Sequence, residues 1–210
     1  MALCQHRSVS RAPATPTTTS YALLGLLALR PWTTYELTKQ VQRSLGWFWP
    51  RTERKLYDEP KKLVAAGWAT ATEQRTGKRP RTVYAITTAG RRALRTWLGE
   101  PAAPPSLEFE AMVKVFFADS GTIDQLRENL ARAREAAEVR LAELERMVEE
   151  DTQPGYEFAG RLPINALGLR FHLDHERHII EWATWAQRQV AGWRSPTDAD
   201  GWDWHGALHP

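Results

Sequence analysis

Cysteine is almost missing from these 210 residues, with Cys4 the sole example. One thiol forms no internal disulfide and supplies no CxxC-type metal set, so packing must hold the fold. A reducing, cytoplasmic setting is expected. Long apolar runs are missing too. The opening MALCQHRSVSRAPATPTTT has no secretory core of roughly 7–15 hydrophobic residues, and no stretch reaches the ~18 apolar residues of a membrane span. The compact signatures of catalysis are also lacking: no GxSxG elbow, no phosphate-binding loop, no GxGxxG, no HExxH. The expectation is therefore a protein that is not an enzyme and has no cofactor. With 42% hydrophobic and 25% charged residues, it has ample material for a globular core.

What is present is a segregation of charge. The net charge is only +3, yet residues 20–99 hold 15 Lys and Arg against 5 Asp and Glu, and residues 100–210 hold 11 against 20. A basic half joined to an acidic half suggests that only the first meets a polyanion. The break falls at GEPAAPPS, whose prolines discourage a helix and suit a linker. The expected organisation is a disordered Thr/Pro-rich leader over 1–19, a DNA-binding domain over 20–99, a linker over 100–106, a helical domain over 107–194 and a tail over 195–210.

Within the basic half, SYALLGLLAL is helix-prone and ends at Pro31. Next, TTYELTKQVQRSLG has Thr33 or Thr34 as N-cap candidates, a buried stripe of Leu37, Val41 and Leu45, and Gly46 as a C-cap. After the aromatic turn WFWP, the helix RTERKLYDEPKKLVAAG places Leu56, Pro60, Leu63 and Gly67 on one face. Arg51, Arg54, Asp58 and Lys61 fall opposite, with Lys55 at the edge. Pro60 should bend this helix. The segments ATATEQR and TVYAIT read as strands flanking the tip TGKRPR, and Thr88 as the cap of a last helix. Three helices, a hairpin with a charged tip and a further helix make a winged helix-turn-helix. Lys78, Arg79 and Arg81 on the wing would meet phosphates or the minor groove. Trp47, Trp49, Trp68 and Trp97 are expected in the core.

These residues resemble the PadR-like transcriptional regulators. The first helix of that family reads like SYALLGLLA. Its second carries a Tyr-Glu-Leu like Tyr35, Glu36 and Leu37, with Thr34 here in place of the usual glycine. Its third has a Leu-Tyr pair and a basic-apolar stretch ending in Gly, matched by Leu56, Tyr57, KKL and Gly67. Its second wing strand is similar to RTVYAITTAGRRAL. Pro60 departs from the commoner helical residue. The resemblance implies a homodimeric regulator, usually a repressor, released by a small molecule or another signal. The candidate contacts to double-stranded DNA are then Tyr35, Lys39, Arg51, Thr52, Arg54, Lys55, Tyr57, Lys61, Lys78, Arg79 and Arg81, with a palindromic operator as partner.

The acidic half reads as mainly helical, completing a mainly α fold with a small hairpin. A heptad reading from Ile123 to Asp151 places Ile123, Leu130, Ala137 and Leu144 at one seam position and Leu126, Ala133 and Met147 at the other, with Arg140 the exception. The chain after Pro163 reads as another long helix, antiparallel to the first. Pairing with a second subunit through this seam, Phe171 and Trp182 is the favoured expectation, and an intrachain helical hairpin is the alternative. Trp182, Trp185 and Trp193 are candidates to line a pocket for a small aromatic effector. The run HLDHERH brings His172, His175 and His178 together with Asp174 and Glu176. That set reads as a structural or pH-sensitive interface, with no metal expected. A winged-helix protein adaptor, or a small-molecule binder without DNA activity, is the rival function.

Overall fold

The apolar run of the basic half forms α1, Thr18–Leu29, buried on nearly all sides by Leu23, Leu24, Leu26 and Leu27. Thr17 caps it in a reciprocal box with Ser20, so Thr18 and Thr19 are helical where a leader reaching Thr19 was expected. Two orphan amides at the helix start find partners this way. Arg30 is extended, as a residue preceding proline should be. The structure, a computed structural model, describes residues 15–76, 79–199 and 201–208. It divides into two units, one ending at Pro104 and the other beginning at Pro105.

In the first unit a short strand β1, Trp32–Thr33, leads into α2, Thr34–Ser44, capped by Thr33 with Glu36 closing the box. Then come α3, Glu53–Ala65, strands β2, Ala69–Thr76, and β3, Arg79–Ile86, and α4, Thr88–Leu98. The sheet order is β1-β3-β2, antiparallel, with Thr76 opposite Arg79 and Ala69 opposite Ile86. β1 adds a third strand that the sequence reading did not include. Gly67 has φ 72°, the left-handed geometry that turns the chain out of α3 at little steric cost. A Cβ on Gly90 would lie 2.1 Å from the Trp68 carbonyl oxygen, so only glycine lets α4 start against that backbone. The fully buried indole is Trp32, donating to the Leu26 carbonyl at 2.7 Å. The four tryptophans expected in the core are half-buried instead; Trp68 and Trp97 flank Tyr21 at 5.7 and 4.8 Å between ring centroids.

The second unit contains α5, Glu110–Phe116, a 3-10 turn at Ala118–Ser120, two 29-residue helices, α6, Ile123–Asp151, and α7, Leu162–Val190, and the short α8, Trp204–Leu208. Thr122 and Gln125 cap α6, and a proline in the first turn opens α7. α6 and α7 pack along each other as a hairpin. Leu126, Leu130, Ala133, Ala137 and Leu144 are buried in it, with Ile123 and Met147 half-buried. The seam assigned to a second subunit is thus the inside of an intrachain hairpin. A short connection holds the two stripes close, so they meet within one chain before another can compete. The exception Arg140 is explained by the same packing: its Nε and NH2 donate to both oxygens of the buried Glu176 at 2.9 and 2.8 Å. Among the described residues no helix is long and apolar enough to cross a membrane.

Candidate nucleic-acid interface

α1 and α2 both pack on α3, which buries Leu56, Pro60 and Leu63 and turns its other face outward. The helix runs through Pro60, whose ring lies in the core. On the outer face Arg54, Lys55, Tyr57, Asp58 and Lys61 are exposed. Lys61 pairs with Asp58 at 3.3 Å. Arg54 and Lys55 have no side-chain partner among the described residues, which leaves two cations free at the N-terminal end of the helix. Thr52 occupies the N-cap without a side-chain capping bond. Arg51 lies before the helix and is engaged: its guanidinium sits 3.9 Å from the Trp49 ring centroid and donates to the Pro50 carbonyl at 2.6 Å. It braces the connection more than it extends the outer face.

α2 presents Tyr35, exposed, with the Lys39 ammonium 5.0 Å above its ring. The neighbouring Tyr35 side chain raises the Lys39 pKa. On the wing, Arg81 is exposed and opposite Gln74. Arg79 is placed by its backbone pairing with Thr76, and Lys78 lies outside the described residues. Arg75, exposed on β2, is a further wing cation that the sequence reading passed over, although its place in EQRTGKRPR was a signal. Glu36 has its pKa lowered, first by hydrogen bonds from Thr33 and then by Arg30 and Arg81. It tempers the positive field where β1 meets the wing. Phe48 is an exposed aromatic in the α2–α3 connection, also not singled out beforehand.

In the second unit the effector-candidate trio is partly buried. Trp182, Trp185 and Trp193 pack around Leu126, Leu130, Ala186 and Val190. The tail closes over them: Trp202 lies 5.1 Å from Trp193 and 6.4 Å from Trp185 by ring centroids, and donates to Gln189 Oε1 at 2.9 Å. A cleft of about 440 Å³ lies between α5 and the start of α6, lined by Val113, Lys114, Phe117, Leu126 and Asn129 among others. Of the expected dimer residues, Trp182 is half-buried, and Phe171 is exposed, near Leu167 and Ile164 on α7. His172 is buried, and burial, aided by the neighbouring His175, lowers its pKa against the pull of Glu176.

The arrangement of the first unit is that of a winged helix-turn-helix, the class of small DNA-reading module in which one exposed helix is flanked by a β-hairpin. Residues 23–96 match the Transcriptional regulator PadR-like family, and residues 109–191 match the Virulence activator alpha C-term family. The probable transcriptional regulator Rv1176c of Mycobacterium tuberculosis is 34% identical over 85 residues, 40% of this chain and 45% of that protein. The negative transcriptional regulator PadR of Bacillus subtilis is 34% identical over 100 residues, 46% of this chain and 54% of that protein. The chain thus spans about half the length of these curated relatives. The crystal structure of Bacillus subtilis PadR in complex with operator DNA superposes with a TM-score of 0.71 at 23% identity, covering 83% of this chain and 99% of that one. The virulence activator AphA of Vibrio cholerae gives 0.64 at 25% identity, covering 82% and 97%. Residues 23–96 thus match the PadR-like family of transcriptional regulators, and both curated relatives are regulators of transcription.

Proposed function

We propose that this chain binds double-stranded DNA sequence-specifically and regulates transcription, as a homodimer on a palindromic operator, with repression relieved by a small aromatic effector. The observation that carries the reading is the outer face of α3, where Arg54 and Lys55 stand exposed and unpartnered. A guanidinium can bridge guanine O6 and N7, and the wing cations Arg75 and Arg81 can neutralise phosphates beside it. Lys78, Arg79, Tyr35 and Lys39 extend the same phosphate-contacting role. The family supports the reading, because Bacillus subtilis PadR has been solved with operator DNA. Selecting bound fragments from a random duplex library with the purified chain tests it, yielding sequence and half-site spacing together. A protein adaptor or a pure ligand binder would select no duplex, and the weak binding it showed would carry no base preference.

The effector half of the proposal rests on Bacillus subtilis PadR having been solved with p-coumaric acid. In this chain the cleft beside α5 suits a small planar ligand, since it is open, apolar at Val113 and Phe117, and has at its wall Lys114, paired with Glu110 at 2.8 Å. Dimerisation is assigned to surfaces that the hairpin leaves uncovered, above all Leu167 and Phe171 of α7.

A further inference from the structure

The inner face of α3 carries a carboxylate that the outer-face chemistry does not use. Glu59 is 4% exposed. The Ser20 hydroxyl donates to its Oε1 at 2.5 Å, and the Lys62 ammonium lies 2.8 Å from its Oε2. Ser20 also belongs to the capping box of α1, where its hydroxyl accepts from the Thr17 N–H at 2.9 Å. A line of hydrogen bonds therefore runs from the cap of α1 into the middle of α3. One residue earlier, the buried Thr19 hydroxyl accepts from the Trp49 indole at 3.3 Å and from Arg51 Nε at 3.4 Å. The first turn of α1 thus holds both the body of α3 and the segment leading into it.

Apolar contacts through Leu56, Pro60 and Leu63 keep α3 on the core, but they are non-directional and leave the helix free to roll or slide by small amounts. Pro60 adds to that freedom, because its missing N–H interrupts the helical ladder one residue after Glu59. A charge-assisted hydrogen bond to a buried hydroxyl is directional. A buried carboxylate is costly unless fully paired, and an apolar side chain would fill the same space without that cost. We propose that Glu59 is a positioning residue: through Ser20 it sets the rotation and axial placement of α3, and so where Arg54 arrives. Arg54 lies five residues away, about 140° around the helix. A roll of about 15° would displace a guanidinium about 8 Å from the axis by about 2 Å, more than a bidentate base contact tolerates. The proposal rests on α3 being the recognition helix.

The test uses the full chain and a duplex selected by the wild-type protein from a random library, with a scrambled duplex of equal length beside it. Ser20→Ala and Glu59→Ala should weaken the selected duplex by about 10-fold or more, the worth of one base contact, and leave the scrambled duplex and the salt slope unchanged. Glu59→Gln keeps an acceptor for Ser20 and should retain most of the selectivity, and Ser20→Ala with Glu59→Ala should be no worse than Glu59→Ala alone. Should Glu59→Ala fail to fold, Ser20→Ala, which removes one hydroxyl, carries the test, with circular dichroism confirming the helices. Variants that melt earlier yet keep the wild-type ratio of selected to scrambled binding would reduce Glu59 to a structural part and overturn the proposal alone. A wild-type chain that selects no duplex would overturn the proposed function and the positioning role together.

Discussion

Two substitutions on neighbouring helices of the second unit should have opposite consequences, and the contrast tests where the dimer forms. Leu130 on α6 is 1% exposed, inside the hairpin, whereas Phe171 on α7 is 63% exposed. Leu130→Asp removes a packed side chain, worth about 2–5 kcal/mol in comparable Leu→Ala changes, and adds the burial of a carboxylate. It should unfold the hairpin of the protomer. Phe171→Asp should leave the protomer's stability nearly unchanged, since its ring is largely exposed and its aromatic neighbours are His172 and His175 of its own helix. Fully burying a phenylalanine is worth about 1.5–3 kcal/mol, and nearly two-thirds of that remains to be gained when the protomers meet, or about 1–2 kcal/mol. A two-fold interface contains the residue twice, so the dimer should lose about 2–4 kcal/mol, roughly 30- to 1000-fold in its dissociation constant. Sedimentation velocity over a concentration series, with thermal melts of the same samples, reads both effects. A Phe171→Asp chain that sediments as the wild type at every concentration would refute the assignment of the interface to this face of α7. A Leu130→Asp chain that folds normally and merely dissociates would restore the seam to the dimer.

Arg54→Ala should cost about 1–3 kcal/mol on the selected duplex and relax the preference at one base pair; equal weakening on every sequence would make Arg54 a phosphate contact. Replacing Lys78, Arg79 and Arg81 with Ala should weaken selected and random duplexes alike and flatten the log–log salt slope by up to about 2–3 units, and an unchanged slope would remove the wing from the interface. For His172 the pKa is lower in the folded chain, chiefly by burial, so the unfolded chain takes up the proton first. Its contribution is fully present above about pH 6.5 and is lost as the pH falls below that towards the folded value. His172→Gln should therefore make the melting temperature less sensitive to pH between about 7 and 5, with Arg140, His175 and Glu176 left in place; an unaltered profile would count against the burial argument.

The parts of this molecule that a linear reading captured are those set by local rules. The stripe of Leu37 and Val41, the cap at Thr33, the proline in the first turn of α7 and the strand-rich flanks of TGKRPR each declare their element within a few residues. What it misplaced depends on which partner meets an apolar stripe. A heptad seam in α6 is equally satisfied by a second chain or by the same chain folded back, and periodicity alone does not separate the two. Arg140 was the discriminating residue: a guanidinium in a homotypic seam would face its own copy, whereas one paired with an acid on α7 implies a heterotypic, intrachain partner. Glu176, thirty-six residues on, was present in the sequence to make that argument. Glu59 was hidden for a related reason. In KLYDEPKK it looks like one more charge on a solvated helix, and the hydroxyl that buries it sits thirty-nine residues upstream in what reads as an apolar run. Long-range polar pairs leave no periodic trace. Within the basic half, the outer face of α3 was legible because it needs only the helix's own geometry, while the device that aims this face was not, because it belongs to two helices at once.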